Sequence, residues 1–278
     1  MPVYMDFHIS QGMTAEFVAL AHQKDIAAQE EFGCRCITYW VDEERGNAYC
    51  LVEAPDKDAV SKLHWKSHKQ LPDEIIEVDK RVVKAFLGRN QYPQIVDYMI
   101  DHKIKVFNDP AFRVILNVKT KDSVQLEYEM GNTTAVNLLK TSNSIILDNI
   151  KDNKGIAAEN EAQEIIATFE TAVQAVRCAI EIQKGLDVWS EAIDLRMSVH
   201  AGNPVDNSPE LFGNTLRLSR FMNILHKSDT IVFSSTVKQL IDKSKNGDIV
   251  SDKKVCSLSS NDEFFLLALT DVFNNNWQ

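Results

Sequence analysis

Apolar and polar positions alternate over Val3–Ile9, which predicts a strand, and Gln11-Gly12 breaks it. Thr14 then stands as an N-cap. Over residues 14–32 the apolar Phe17, Val18, Ala21 and Ile26 recur at helical spacing, and Gly33 closes the segment. Residues 36–41 read as a strand, 42–47 as a charged turn containing Gly46, and 48–53 as the partner strand of a hairpin. Pro55-Asp56 opens a second helix over 57–69, with Ala59, Val60 and Leu63 on its apolar side. Leu71-Pro72 stops it, and 74–78 is a last short strand. The order β-α-β-β-α-β predicts a ferredoxin-like unit over residues 1–79, with both helices on one face of a four-stranded antiparallel sheet. The other sheet face then needs cover. Pairing sheet to sheet in a homodimer is the simplest way to supply it.

Residues 80–109 read as a helical connector. Val82, Val83, Phe86 and Leu87 suggest a short helix ended by Gly88, and 95–104 a further helix. No Gly/Ser-rich stretch loosens this region, so docked halves are expected rather than tethered ones. Residues 110–278 form a second domain. It carries strands at 113–118, 165–169, 195–201, 230–233 and 264–270. Helices are expected at 125–153 (one or two), 171–186, 216–226 and 236–243. The chain as a whole is therefore read as α+β.

A net charge of -10 over 278 residues disfavours nucleic acid and anionic membrane as partners, since neither would gain from counterion release. No run approaches the roughly 18 uncharged apolar residues of a spanning helix. The N-terminus has no basic region followed by an apolar one, and the 5 cysteines are an odd number. A cytoplasmic protein with reduced thiols is expected.

Chemistry concentrates in the first block, which holds His8, His22, His64 and His68 of the chain's 7 histidines. His64 and His68 are spaced i, i+4 and can chelate one ion. His22 lies mid-helix with Asp25 three residues on. In the ferredoxin-like layout both helices share one side of the sheet, so His22 can approach the pair. Cys50, in the central hairpin, can add a thiolate, as can Cys36. Imidazole suits nickel, zinc or copper. The plainer readings stand beside these: a solvated histidine pair, Cys50 as a small core residue, and Trp65 as packing.

The segments Met1–His8, Ala21–Asp25, Thr38–Gly46, Cys50–Pro55 and Glu74–Asp79 resemble a family of small bacterial ferredoxin-like proteins described as nickel-binding or nickel-responsive. Val83–Arg89 is similar to the tail of such proteins, including ones fused to a cyclase-like domain. The resemblance implies a transition metal, nickel foremost. With the histidine set it gives His8, His22, His64, His68 and Cys50 as the expected metal ligands.

The second domain resembles class III adenylate/guanylate cyclase domains. Leu211–Ser219 followed by Thr230–Val237, Gly155–Glu159, Ile165–Phe169, Ala175–Gln183 and Leu195–Gly202 fall in the family's order and spacing. A cyclase needs two carboxylates to hold two metal ions. On the ungapped fit those positions carry Lys119 and Gln163. The base-reading lysine falls on Glu159, the ribose-orienting Asn or Gln on Arg217, and the transition-state arginine on Phe221, next to Arg220. Glu164 stands where the family's phosphate loop has glycine, so nucleotide binding is not expected. The sequence thus reads as a non-catalytic metal-binding sensor or regulator with a pseudo-cyclase scaffold, more a pseudoenzyme than an enzyme. The alternative is an active cyclase in which Asp122 and Glu164 replace the lost ligands. An enzyme built on the small domain has only fold analogy behind it.

Overall fold

The structure is a computed structural model that describes residues 1–94, 97–101, 103–161, 163–189, 192–225, 230–244, 253–259 and 262–268. The chain divides into two compact units, one of residues 1–112 with 203–214, the other of residues 113–202 and those from 215 on.

The first unit begins with β1 (Val3–Ile9), α1 (Ala15–Ala28), a 3-10 turn over Gln29–Phe32, β2 (Arg35–Asp42), β3 (Asn47–Glu53), α2 (Lys57–His68) and β4 (Glu74–Glu77). Its sheet runs β2-β3-β1-β4, the ferredoxin-like order. The caps are those the sequence suggests. Thr14 Oγ1 accepts from the Phe17 amide at 3.1 Å, and Asp56 Oδ1 from the Ala59 amide at 2.8 Å. The predicted helix over 14–32 ends as a tighter turn, closed by Gly33 at φ +63°. Successive strand residues face opposite ways, so Tyr4, Asp6 and His8 share one face of β1 and Met5 and Phe7 the other. The first face packs on the helices in a core that includes Val18, Ala19, Tyr39, Val41, Val52, Val60 and Leu63.

The opposite face is buried by the chain itself: Met5, Trp40, Tyr49 and Leu51 have no exposed surface. Helix α3 (Lys80–Leu87) buries Val83, Phe86 and Leu87. Lys80 pairs with Glu53, the Arg89 guanidinium lies over the Trp40 ring at 4.3 Å, and Phe86 stacks on Phe212 at 5.5 Å. The sheet-to-sheet argument for a homodimer therefore falls away, because the apolar face that motivated it is already covered. Next come β5 (Tyr98–Ile100) and β6 (Ile104–Val106), a hairpin where the sequence led us to expect a helix over 95–104. Of that stretch Ile95, Val96 and His102 lie outside the described residues. The β-prone triplets Tyr98-Met99-Ile100 and Ile104-Lys105-Val106 flank Asp101 in a left-handed turn conformation (φ +51°), and local turn chemistry overrides the helical spacing. Val106 and Phe107 join the first core, and Phe107 stacks on Tyr39 at 4.2 Å. The stretch read as a connector is thus part of the first unit.

The second unit contains β7 (Arg113–Lys119), α4 (Ser123–Met130), α5 (Asn132–Asp152), β8 (Ile156–Glu161), β9 (Glu164–Phe169), α6 (Ala172–Leu186) and β10 (Arg196–Gly202). After it come α7 (Gly213–Ile224), β11 (Thr230–Ser234), α8 (Ser235–Lys243), β12 (Lys253–Ser259) and β13 (Asp262–Ala268). Its sheet runs β12-β13-β11-β10-β7-β9-β8, and β10/β11 is a parallel pair. The two strands absent from the sequence reading, β8 and β12, are the sheet's two edges. An edge strand has one neighbour and needs less apolar alternation, so its pattern is faint. Gly155 lies against the Phe169 ring, where a Cβ would collide.

Candidate metal centre

Three elements aim ligand-bearing side chains at one point between the sheet and the helices. Strand β1 brings Asp6 and His8, α1 brings His22 and Asp25, and α2 brings His64 and His68 one turn apart. Cys50 is the β3 residue paired with Asp6 in register. His64 sits at the centre. Its Nε2 lies 3.1 Å from Asp6 Oδ2, and its Nδ1 lies 2.8 Å from His68 Nε2 and 3.4 Å from Asp25 Oδ2. Asp25 Oδ1 is 3.4 Å from His68 Nε2 and also accepts from Ser67 Oγ. His8 Nε2 stands 3.2 Å from Asp6 Oδ1.

The electrostatics are dominated by two carboxylates out of water: Asp6 is 0% and Asp25 1% exposed. Burial alone pushes both carboxyls up. For Asp6, His64 and His8 outweigh it, and for Asp25, hydrogen bonds from His64, His68 and Ser67 do, so both stay well below the usual range. Burial pulls His64 down, but Asp6 and Asp25 on its two sides raise it to about 10. Burial takes His22 the other way, to about 4, against the opposing pull of Asp25 and Asp6. Burial, and then the nearby carboxylates, raise the Cys50 thiol well above its ordinary value.

Ligand-bearing side chains group in two overlapping triads, Asp6–His8–His64 and Asp25–His64–His68. Of the residues expected from sequence, His8, His64 and His68 converge here. His22 and Cys50 line the same small cavity but belong to neither triad. The His22 ring also packs against Tyr39 and Tyr92, at 5.2 and 5.5 Å. Asp6 and Asp25 are the members that the sequence reading did not name as ligands. Their signal was an acid on the inward pleat of β1 and an acid sharing the buried side of α1 with His22.

The donor set fits a transition metal. Two ligand atoms about 2.1 Å from one ion stand about 3.0 Å apart at a right angle and about 3.4 Å at the tetrahedral angle. The separations of 2.8 to 3.4 Å around His64 fall close to that span. Two buried anions also call for a buried cation. Asp6 Oδ1, His68 Nδ1 and His22 Nε2 have no hydrogen-bond partner among the described residues. The cavity is about 20 Å³, room for one water-sized occupant, and Phe17 and Gln70 on its lining are exposed.

In the second unit, Lys119 is paired in register with Glu164 on β9 and Arg196 on β10. Glu164 accepts from Asn117 Nδ2 at 2.7 Å and from Arg220 Nε and Nη2 at 3.0–3.1 Å. Asp122 caps α4 and accepts from the Gln163 amide. The two carboxylates offered as replacement ligands are thus engaged with different partners. Arg217 and Phe221 occupy exposed positions of α7, and the Glu159 side chain lies outside the described residues. Among the described residues, both triads belong to the first unit.

A family model described as "Nickel responsive protein SCO4226-like" matches residues 4–78. SCO4226 from Streptomyces coelicolor A3(2), a solved structure, is 34% identical over 27% of this chain and 94% of that one, with a TM-score of 0.26. An adenylate/guanylate cyclase/hydrolase from Silicibacter pomeroyi is 22% identical, covering 56% of this chain and 96% of its own, with a TM-score of 0.44. The dimeric guanylyl cyclase domain of the RhoGC fusion protein from Blastocladiella emersonii is 13% identical, covering 56% and 96%, with a TM-score of 0.47. A search of curated proteins gives no match. No described helix is long and apolar enough to cross a membrane.

Proposed function

Through residues 4–78 the chain belongs to the SCO4226-like nickel-responsive family, and on that premise we propose that its first unit binds one transition-metal ion, nickel foremost, in the cavity between β1, α1 and α2. The observation that carries this is the pair of buried carboxylates, Asp6 and Asp25, facing His64 from opposite sides. A metal there would be held by imidazole and carboxylate, a set suited to nickel or zinc. What it would supply is a fixed positive charge that ties β1, α1 and α2 together. Binding would therefore stabilise the first unit, which is the physical basis for a sensor or regulator.

The second unit is, in this reading, a cyclase-like scaffold without cyclase chemistry and without a nucleotide ligand. Lys119 and Gln163 stand where metal carboxylates would be needed, and Glu164 is tied to Arg220. A homodimer belongs to the same reading. Its support is the exposed apolar pair Val124 and Tyr128, one turn apart on α4. Light scattering on the purified chain tests it.

The metal claim is tested by isothermal titration of the metal-free protein with nickel and with zinc. About one ion per chain is expected, and absence of uptake at low-micromolar concentration overturns the reading.

A further inference from the structure

His64 poses a choice, because it belongs to both triads through opposite ring nitrogens. We propose that the ion sits on the Nδ1 side, held by Asp25, His64 and His68, and that Asp6 is a positioning residue that holds the other face of the His64 ring. This assignment rests on the metal-binding reading above and goes beyond it by dividing ligands from support.

Three observations carry it. The cavity is lined by Asp25, His64 and His68 but not by Asp6. Asp6 has no exposed surface, and its two oxygens face His64 Nε2 at 3.1 Å and His8 Nε2 at 3.2 Å. His64 Nε2 donates its N–H to Oδ2, while Oδ1 stands near His8 Nε2 without a hydrogen bond of ordinary geometry. The Nδ1 side is different. There the nitrogens of His64 and His68 and the carboxylate of Asp25 crowd within 2.8 to 3.4 Å, and one shared proton cannot satisfy all three pairs. A cation at that point faces three lone pairs at once.

The arrangement also explains how the ring is aimed. A ligating histidine is oriented by the partner of its other nitrogen, and a carboxylate in that place fixes the tautomer and raises ligand basicity. Asp6 does this for His64. His8 presents Nε2 to the same carboxylate and so does not offer that atom to the ion. Ser67 plays the matching part for Asp25, donating its hydroxyl to Oδ1 while Oδ2 faces His64 Nδ1. Phe17 and Gln70, the exposed residues of the cavity lining, offer the ion a route in.

The test uses the full chain loaded with cobalt(II) or nickel(II), compared with Asp6→Asn, Asp25→Asn and His68→Ala. For Asp6→Asn we expect affinity to fall about 10- to 100-fold, the effect of losing a ligand's supporting partner, with an unchanged visible spectrum and an unchanged ligand count by X-ray absorption. For Asp25→Asn and His68→Ala we expect both spectrum and count to change. If Asp6→Asn changes the count as Asp25→Asn does, Asp6 is a ligand and the assignment is overturned. Should that variant not fold, nitrogen-15 spectra of the zinc-loaded wild type decide the matter. His64 Nε2 keeps its proton and Nδ1 takes the metal shift if the assignment holds, and the reverse pattern sinks it. Wild-type protein that takes up no metal overturns the functional reading itself, whereas uptake with exchanged roles overturns only this division.

Discussion

Metal affinity of the first unit is expected to rise steeply with pH, and the slope follows from His64. In the metal-free protein Asp6 and Asp25 hold the His64 proton so firmly that it titrates at about 10 instead of 6.5. At pH 7 the deprotonated ring is then roughly one part in a thousand, and freeing it costs about 4 kcal/mol at ~1.36 kcal/mol per unit. An ion entering on Nδ1 must expel that proton. The two carboxylates are already ionised across this range and release nothing. The apparent Kd for nickel should therefore fall about tenfold per pH unit, or about 30-fold between pH 7 and 8.5. Titration calorimetry against a competing chelator measures it. Repeating the titration in two buffers of different ionisation enthalpy counts protons, with about one released per ion. A Kd that is flat over this interval, with no proton released, would refute the argument that His64 is charged before the metal arrives.

The same linkage has a sign for stability. A raised histidine pKa stabilises the fold fully below about 6.5, and that contribution is lost as pH climbs toward 10, so the urea midpoint of the metal-free first unit should fall between pH 7 and 9. A midpoint that rises over that range contradicts the assignment of the proton. Phe212→Ala should destabilise the first unit by about 3 kcal/mol or more, since Phe212 is fully buried and stacked on Phe86. A urea midpoint for that unit within error of wild type would show the ring to be dispensable. With ATP or GTP and manganese the chain should form no cyclic nucleotide. Turnover abolished by Asp122→Asn or Glu164→Gln would restore the enzyme reading.

Much of the first unit was legible because its local signals agree with one another. Thr14 and Asp56 cap where they should, Gly33 stops where φ is positive, and β1 to β3 carry β-prone residues. The second unit's edges were not, because β8 and β12 satisfy half their backbone partners and tolerate polar residues such as Glu159 and Lys253. The site was legible in composition but not in membership. Spacing on one helix reveals His64 and His68. Nothing local reveals that Asp6 and Asp25, 58 and 39 positions before His64 in the chain, meet its two nitrogens. His22 shows the complementary case: it lines the cavity but packs against two tyrosine rings and belongs to neither triad. The cover over the far sheet face was hidden for a similar reason, since part of it comes from Phe212, outside the first 112 residues.

That last placement bears on how the protein is made. The first unit is written in two instalments, residues 1–112 and then 203–214, with about 90 residues of the second unit between them. At a synthesis rate of roughly 5–20 residues per second, the nascent first unit waits on the order of 5–20 s for Phe212 to emerge. During that interval Phe86 lacks its stacking partner. A ribosome stall within residues 113–202 would therefore leave the first unit without residues 203–214, and truncation at residue 112 would remove Phe212, the stacking partner of Phe86.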